Sequence, residues 1–357
     1  MERKWWHGKT AYQIYPKSYC DSNGDGIGDL QGIISKLDYL KELGVDGIWF
    51  SPIYPSPGAD GGYDIADYTD IAPEFGGMEA FKKVLEGAHE RDMKIIMDLV
   101  VNHTSDEHEW FQKSRQRIDP YTDYYFWRPA KPNGKLPNNW DSNFEGKAWT
   151  WDEVRGEYYL HLFAVKQPDL NMDNPKVIQE TKDIAKYYLE LGIDGFRLDA
   201  VIHYDEDNTE ENVKILKWIN DYTKKIDPNA YIVGEAWISS GVVSQYYAST
   251  IDSFFNFELG GYDGKVTQIA RAPVGAEAAA DFIPSLISMN KLVKENNPDA
   301  IDAPFLSNHD MPRSYDFLGG DKDKMKLAIG LYQMISGSTF TYYGEEIGMA
   351  GGGEQDV

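Results

Sequence analysis

The chain has 357 residues, 42% hydrophobic and 14% aromatic, with 35 Lys and Arg against 58 Asp and Glu, a formal charge of −23. This apolar content argues against a disordered chain and allows one large domain or two ordinary ones. The negative charge disfavours nucleic acid and anionic membrane surfaces, so a neutral partner fits better, although solubility alone would account for it. The single cysteine, Cys20, excludes an internal disulfide and a Cys-type zinc site and points to a reducing, cytoplasmic compartment. MERKWWHGKTAYQIYP at the start lacks the apolar stretch of a signal peptide, and no run of 18 apolar residues occurs that would predict a membrane span.

In chain order, AYQIYP (11–16) reads as a first strand. DSNGDGIGD (21–29) then sets oxygen-bearing residues at alternate positions: Asp21, Asn23, Asp25 and Asp29, with the Ile27 carbonyl between them. Hard-cation loops use this spacing. An EF-hand needs Glu where Gly32 stands, so the expectation is a single calcium or magnesium loop. GDLQGIISKLDYLKEL (28–43) reads as a helix and GVDGIWFSP (44–52) as a second strand. MEAFKKVLEGAHER (78–91) leads to a third, MKIIMDLVVNH (93–103). Residues 104–170 show no βα unit and are rich in Trp, Tyr, Asn, Pro and Gly. A loop of that length belongs to a small inserted subdomain, leaving 1–103 and 171–357 to the main domain. Further on, PKVIQETKDIAKYYLEL (175–191) precedes a fourth strand, GIDGFRLDA (192–200). EENVKILKWINDYTKKI (210–226) precedes AYIVGEAW (230–237). IDSFFNF (251–257), APFLSNHD (303–310), the helix DKDKMKLAIGLYQMI (321–335) and STFTYYGEE (338–346) complete the set.

LKELGVDGIWFSP and LELGIDGFRLDA share one plan: a helix, a terminating glycine (Gly44, Gly192) suited to positive φ, and a short apolar strand. Eight such strands alternating with helices predict an α/β fold, a (β/α)8 barrel. Polar residues cluster where the strands finish: Asp98, Asn102 and His103; Arg197 and Asp199; Glu235; Asn308, His309 and Asp310. A lone strand-ending Asp more often caps the next helix. Three acids, each after an apolar strand, predict one rim cluster. Arg197 and Asp199, two apart, share a face, and the arginine favours an ionised Asp199. Glu235 follows the apolar Tyr-Ile-Val-Gly, which raises its proton affinity. One charged and one protonated carboxyl is the division of labour in glycoside hydrolysis, and a retaining enzyme holds the two ~5–5.5 Å apart. Aromatic side chains can stack on sugar rings, though most serve the core. No His/Cys cluster points to a catalytic transition metal. GGG at 351–353 lacks a phosphate-loop context, and no organic cofactor is implied.

The blocks GIWFSP, DLVVNH, QPDLN, GFRLDA, GEAW, SNHD and YYGEEIG, in this order, resemble the α-amylase superfamily of glycoside hydrolases, and its oligo-1,6-glucosidase and α-glucosidase branch in particular. The resemblance covers nearly the whole chain. It implies Asp199 as nucleophile, Glu235 as general acid and base, and Asp310 as the group that binds sugar hydroxyls. Arg197, His103, His309, Tyr63 and Asp64 would hold the glucose, and Asp60 and Arg313 would close the pocket over a non-reducing end. The 21–29 loop matches the family's calcium site. Family members continue past the eighth strand with its helix and a β-sandwich, whereas the sequence stops at Val357, so both are expected to be missing. The segment from Asp199 to Glu235 is short for an oligo-1,6-glucosidase, which favours an open cleft. Ala200, a small residue after the nucleophile, favours α-1,4 over α-1,6 bonds. The resulting expectation is a retaining α-glucosidase acting on an oligosaccharide or α-glucan. An endo-acting amylase, a glucosyl-transferring or isomerising relative, and a non-catalytic carbohydrate-binding or transporter-subunit homologue are the alternatives.

Overall fold

In the computed structural model, residues 3–273 and 279–351 are described, and the glycine-rich stretch at 351–353 falls largely outside them. The parallel strands are β1 (Thr10–Ile14), β2 (Gly47–Phe50), β3 (Lys94–Leu99), β7 (Gly195–Leu198), β8 (Tyr231–Gly234), β9 (Ser253–Phe254) and β10 (Thr339–Tyr342). They pair in the order β10-β1-β2-β3-β7-β8-β9. The ring closes through 303–305, where Phe255 bridges Ala303 and Phe305 bridges Phe340, both in parallel. The seventh expected strand, 303–310, therefore forms bridges and no continuous ladder. Pro304 has no amide hydrogen to donate, and its carbonyl accepts from the Phe340 amide. The (β/α)8 architecture is thus present.

The expected helices form at Gly77–His89, Pro175–Leu191, Thr209–Ile226 and Lys322–Gln333. The first one splits into Leu30–Ile34 and Leu37–Leu43. Helices at Glu109–Arg115, Ser240–Tyr246, Lys265–Arg271 and Phe282–Asn296 were not anticipated. Gly44 and Gly192 end their helices at φ 93° and 107°, the left-handed conformation the repeated Leu-Gly called for. Among the described residues no helix is long and apolar enough to cross a membrane. Within 104–170, β4 (Trp127–Arg128), β5 (Trp149–Asp152) and β6 (Glu157–Leu160) form an antiparallel sheet in the order β4-β6-β5. It has its own small core of Ala148, Trp149, Leu160 and Leu162.

Strand alternation divides the barrel interior into two levels. The lower level is an apolar plug to which Ala11, Trp49, Ile96, Val233, Phe305 and Phe340 contribute. Two residues further along, the same inward positions become Gln13, Ser51, Asp98, Glu235, Ser307 and Tyr342. On β7 the inward position below Arg197 is Gly195, where a Cβ would lie 2.2 Å from the Tyr231 carbonyl oxygen. The polar level thus stands directly on the hydrophobic one.

The opposite rim is stitched by aspartates that immediately precede alternate strands. Asp46, before β2, accepts from the Thr10 amide of β1. Asp194, before β7, accepts from the Ile95 amide of β3 at 2.9 Å, and Lys94 and His89 pair with it at 2.9 and 2.7 Å. Asp252, before β9, accepts from the Ile232 amide of β8 and pairs with Lys224. Each carboxylate pins the start of the neighbouring strand with a charge-assisted bond. Replacing Asp194 by Ala should cost about 1–3 kcal/mol, because it strips an acceptor from a partly buried amide and from the Lys94 and His89 side chains. The check is the urea midpoint at unchanged slope, and Asp194→Asn should lose less.

Candidate active site

A cleft of about 1040 Å³ opens at the carboxyl ends of the strands, walled on one side by the 104–170 segment through Asn143, Phe144 and Phe163. Asp60, Tyr63, His103, Asp199, Glu235, His309 and Asp310 line it, so seven of the anticipated residues meet there. Arg197 lies just beneath, fully buried at 1% exposure. In the ladder Asp98 of β3 stands opposite Arg197 of β7, which places carboxylate against guanidinium.

Arg197 organises the acids. Its Nη1 pairs with Asp98 at 2.7 Å and with Asp199 at 2.6 Å, and its Nη2 pairs with Glu235 at 2.9 Å. The guanidinium lies 5.2 Å from the Trp49 ring and 5.5 Å from the Tyr63 ring, and its Nε has no hydrogen-bond partner among the described residues. Asp98 also accepts from Trp49 Nε1 at 3.0 Å and the Tyr63 hydroxyl at 3.1 Å. One cation in contact with three carboxylates cannot neutralise them all. Burial pushes Glu235 up to about 7, with the Asp199 and Asp310 charges adding and Arg197 opposing. Burial raises Asp98 as well. At the cleft mouth burial, then the Asp199 charge, pushes Asp310 up to about 6, and burial with its acidic neighbours does the same to Asp60.

The histidines are held by amides. Gln13 Nε2 lies 2.8 Å from His309 Nδ1, and the Tyr63 and His309 rings stack at 5.2 Å. Gln167 Nε2 donates to Asp60 at 2.7 Å and lies 3.1 Å from His103 Nε2. Burial lowers the pKa of both histidines, that of His309 to about 3.

Two expected subsite residues do not reach the cleft. The fully buried Asp64 accepts from Ser56 Oγ and the amides of Ala59 and Asp60, so it shapes the loop that presents Asp60. Arg313 donates to the Tyr343 carbonyl and stacks over Tyr342 and Tyr343 at 4.4 and 4.3 Å, bracing the end of β10. Residues not foreseen for the site are Asp98 as a direct partner of Arg197, the two glutamines, and Trp237. Trp237 is exposed at the cleft and stacks on Phe257 at 4.7 Å. The polar Gln13 within the apolar TAYQI strand was the available signal for the first glutamine.

The 21–29 loop lies apart from the cleft. Asp21 accepts from the amides of Asn23, Gly24 and Gly26. Asp25 accepts from Asn23 Nδ2 and the Ile27 amide. Asp29 caps the Leu30–Ile34 helix through the Gly32 amide and holds Ser22. Among the described residues no three His, Cys, Asp or Glu side chains gather closely enough to hold a metal by themselves. A cation here would also need the Asn23 amide and the Ile27 carbonyl, and that all-oxygen donor set has the chemistry of a hard-cation site.

A (β/α)8 barrel whose rim gathers acids over one buried arginine has the layout of a glycoside hydrolase. Residues 13–356 match the family model described as "Alpha amylase, catalytic domain", and the chain belongs to the alpha-amylase family. It is 42% identical over 394 residues to an oligo-1,6-glucosidase of Parageobacillus thermoglucosidasius, covering 98% of this chain and 66% of that one. It is 43% identical over 349 residues to alpha-amylase 3 of Dictyoglomus thermophilum, covering 97% and 65%. An alpha-amylase from H. orenii superposes with a TM-score of 0.86 at 39% identity, covering 99% and 71%. The chain thus spans about two thirds of the length of these curated relatives.

Removing the shared cation tests the electrostatic assignment. Arg197→Met should destabilise the fold by about 3–5 kcal/mol in guanidinium unfolding, since it strands buried carboxylates. Adding Asp98→Asn to that background should recover part of the loss.

Proposed function

We propose that the chain hydrolyses α-glucosidic bonds in oligosaccharides or α-glucans with retention of configuration. Asp199 attacks the anomeric carbon while Glu235 protonates the departing glycosidic oxygen, giving a glucosyl ester on Asp199. Glu235, now ionised, takes a proton from water as the water displaces Asp199. The observation that carries this reading is that Asp199 and Glu235 sit on the two terminal nitrogens of the same guanidinium. That arrangement suits the ~5–5.5 Å carboxyl spacing of double displacement. Arg197 orients both acids, and Asp310, His103 and His309 face the cleft where glucose hydroxyls would lie. Exposed Phe144 and Trp237 offer stacking faces for further sugar units. Three acids in one cleft weigh against a purely binding role. Ala200 after the nucleophile favours α-1,4 bonds. The lone Cys20 suits a cytoplasmic setting.

Product analysis on maltoheptaose tests the reading. Glucose with retained configuration as the sole early product fits an exo-glucosidase, whereas mixed maltooligosaccharides fit an endo-acting amylase. Asp199→Asn should lower kcat by at least 1000-fold, and a variant retaining most activity would refute the assignment of the nucleophile. Because Glu235 must carry its proton, kcat/KM should fall as pH rises through about 7. Glu235→Gln should abolish that alkaline limb together with the turnover.

The 21–29 loop is the proposed seat of a calcium or magnesium ion held by Asp21, Asn23, Asp25, Asp29 and the Ile27 carbonyl. The ion would brace the start of the Leu30–Ile34 helix and take no part in bond cleavage. Millimolar calcium should raise Tm by several degrees in the wild type and not in Asp21→Ala, as followed by differential scanning calorimetry.

A further inference from the structure

Gln13 is 1% exposed and sits in the polar level of the barrel on β1, three strands along the ring from β7, which leads to the nucleophile. Its carboxamide nitrogen reaches two atoms: His309 Nδ1 at 2.8 Å and Ser51 Oγ at 3.3 Å. A carboxamide nitrogen donates and never accepts. With the Gln13 carboxamide oriented as it is in this structure, His309 Nδ1 is the acceptor. A neutral imidazole carries one hydrogen, and with Nδ1 accepting, that hydrogen is on Nε2. The ring is kept neutral by its burial and by the nearby Arg197 charge, although the Asp199 charge opposes them. Nε2 lies on the cleft side, 3.3 Å from Asp310 Oδ2. Stacking on Tyr63 at an interplanar angle of 6° holds the ring plane.

We propose that Gln13 is a positioning residue that fixes His309 as the Nε2–H tautomer, so that a neutral hydrogen-bond donor faces Asp310 and the sugar. The opposite tautomer would turn an imidazole lone pair toward the Asp310 carboxyl, losing the donor and setting two acceptors against each other. The activity arm of the test rests on the hydrolase reading, but the tautomer arm does not.

The experiment labels histidines with ¹⁵N in the full chain and assigns His309 by loss of its signals in His309→Asn. Long-range ¹H–¹⁵N correlations then separate the protonated nitrogen from the bare one. Wild type should show Nε2–H on a neutral ring. Gln13→Glu, whose carboxylate accepts, should move the hydrogen to Nδ1 or protonate the ring. Gln13→Met, with no donor, should give a mixture. In both variants kcat/KM on a maltooligosaccharide should fall 10–100-fold, with kcat carrying more of the loss than KM. Nδ1–H in the wild type, or pure Nε2–H in folded Gln13→Met, overturns the proposal. If Gln13→Glu does not fold, the wild type and Gln13→Met still decide. A correct tautomer pattern in a protein that cleaves no α-glucoside would sink the hydrolase reading and leave the positioning role standing.

Discussion

Everything in the cleft depends on the shortage of positive charge around Arg197. One guanidinium, sealed under the rim, serves Asp98, Asp199 and Glu235 together. Three ionised acids would overdraw it, so the site cannot hold all of them charged at neutral pH. Asymmetry follows from geometry. Asp199 shares Nη1 with Asp98 and stands beside the arginine on its own strand, whereas Glu235 meets the other nitrogen at the end of an apolar strand, where burial pushes it up to about 7.

That arrangement requires the barrel beneath it. The inward positions of the strands pass from Ala, Trp, Ile, Val and Phe to Gln, Ser, Asp, Glu and Ser within two residues. The plug excludes water from below, which keeps the effective dielectric low and makes the Arg197 pairs strong. The same dryness fixes the histidines as neutral rings whose amide neighbours, Gln13 and Gln167, occupy one ring nitrogen each. The inserted 104–170 segment supplies the far wall with Phe144 and Phe163, so the cleft is bounded by two structures of different origin in the chain.

Much of this was legible in the sequence. The echo of VDGIWFSP and IDGFRLDA carried the barrel, since a helix ended by glycine and followed by a buried strand leaves little choice of fold. The rim acids were legible because each ends an apolar run. Asp64 and Arg313 were misplaced for one reason: a motif fixes a residue's position along the chain but not the direction of its side chain. The Asp64 carboxyl is spent on loop amides and the Arg313 guanidinium on tyrosine rings. Gln13 stood out as the one polar side chain in its apolar strand core, but its partner lies 296 positions away, so the strand by itself could not name what it holds. The Phe282–Asn296 helix was not anticipated although Asp281 and Asn297 flank it, and the Asp281 side chain makes no cap hydrogen bond.

The aspartates on the opposite rim bear on how such a site survives folding. Asp46, Asp194 and Asp252 each clip the foot of one strand to its neighbour, joining first to second, third to fourth and fifth to sixth. A slip of a single residue in one of these strands would swing its inward side chains outward, and in the fourth strand Arg197 would turn with them. The clips make misalignment cost a buried carboxylate its partners at the base, far from where the damage would be felt. The precision of the catalytic lip is thus enforced from the barrel's floor.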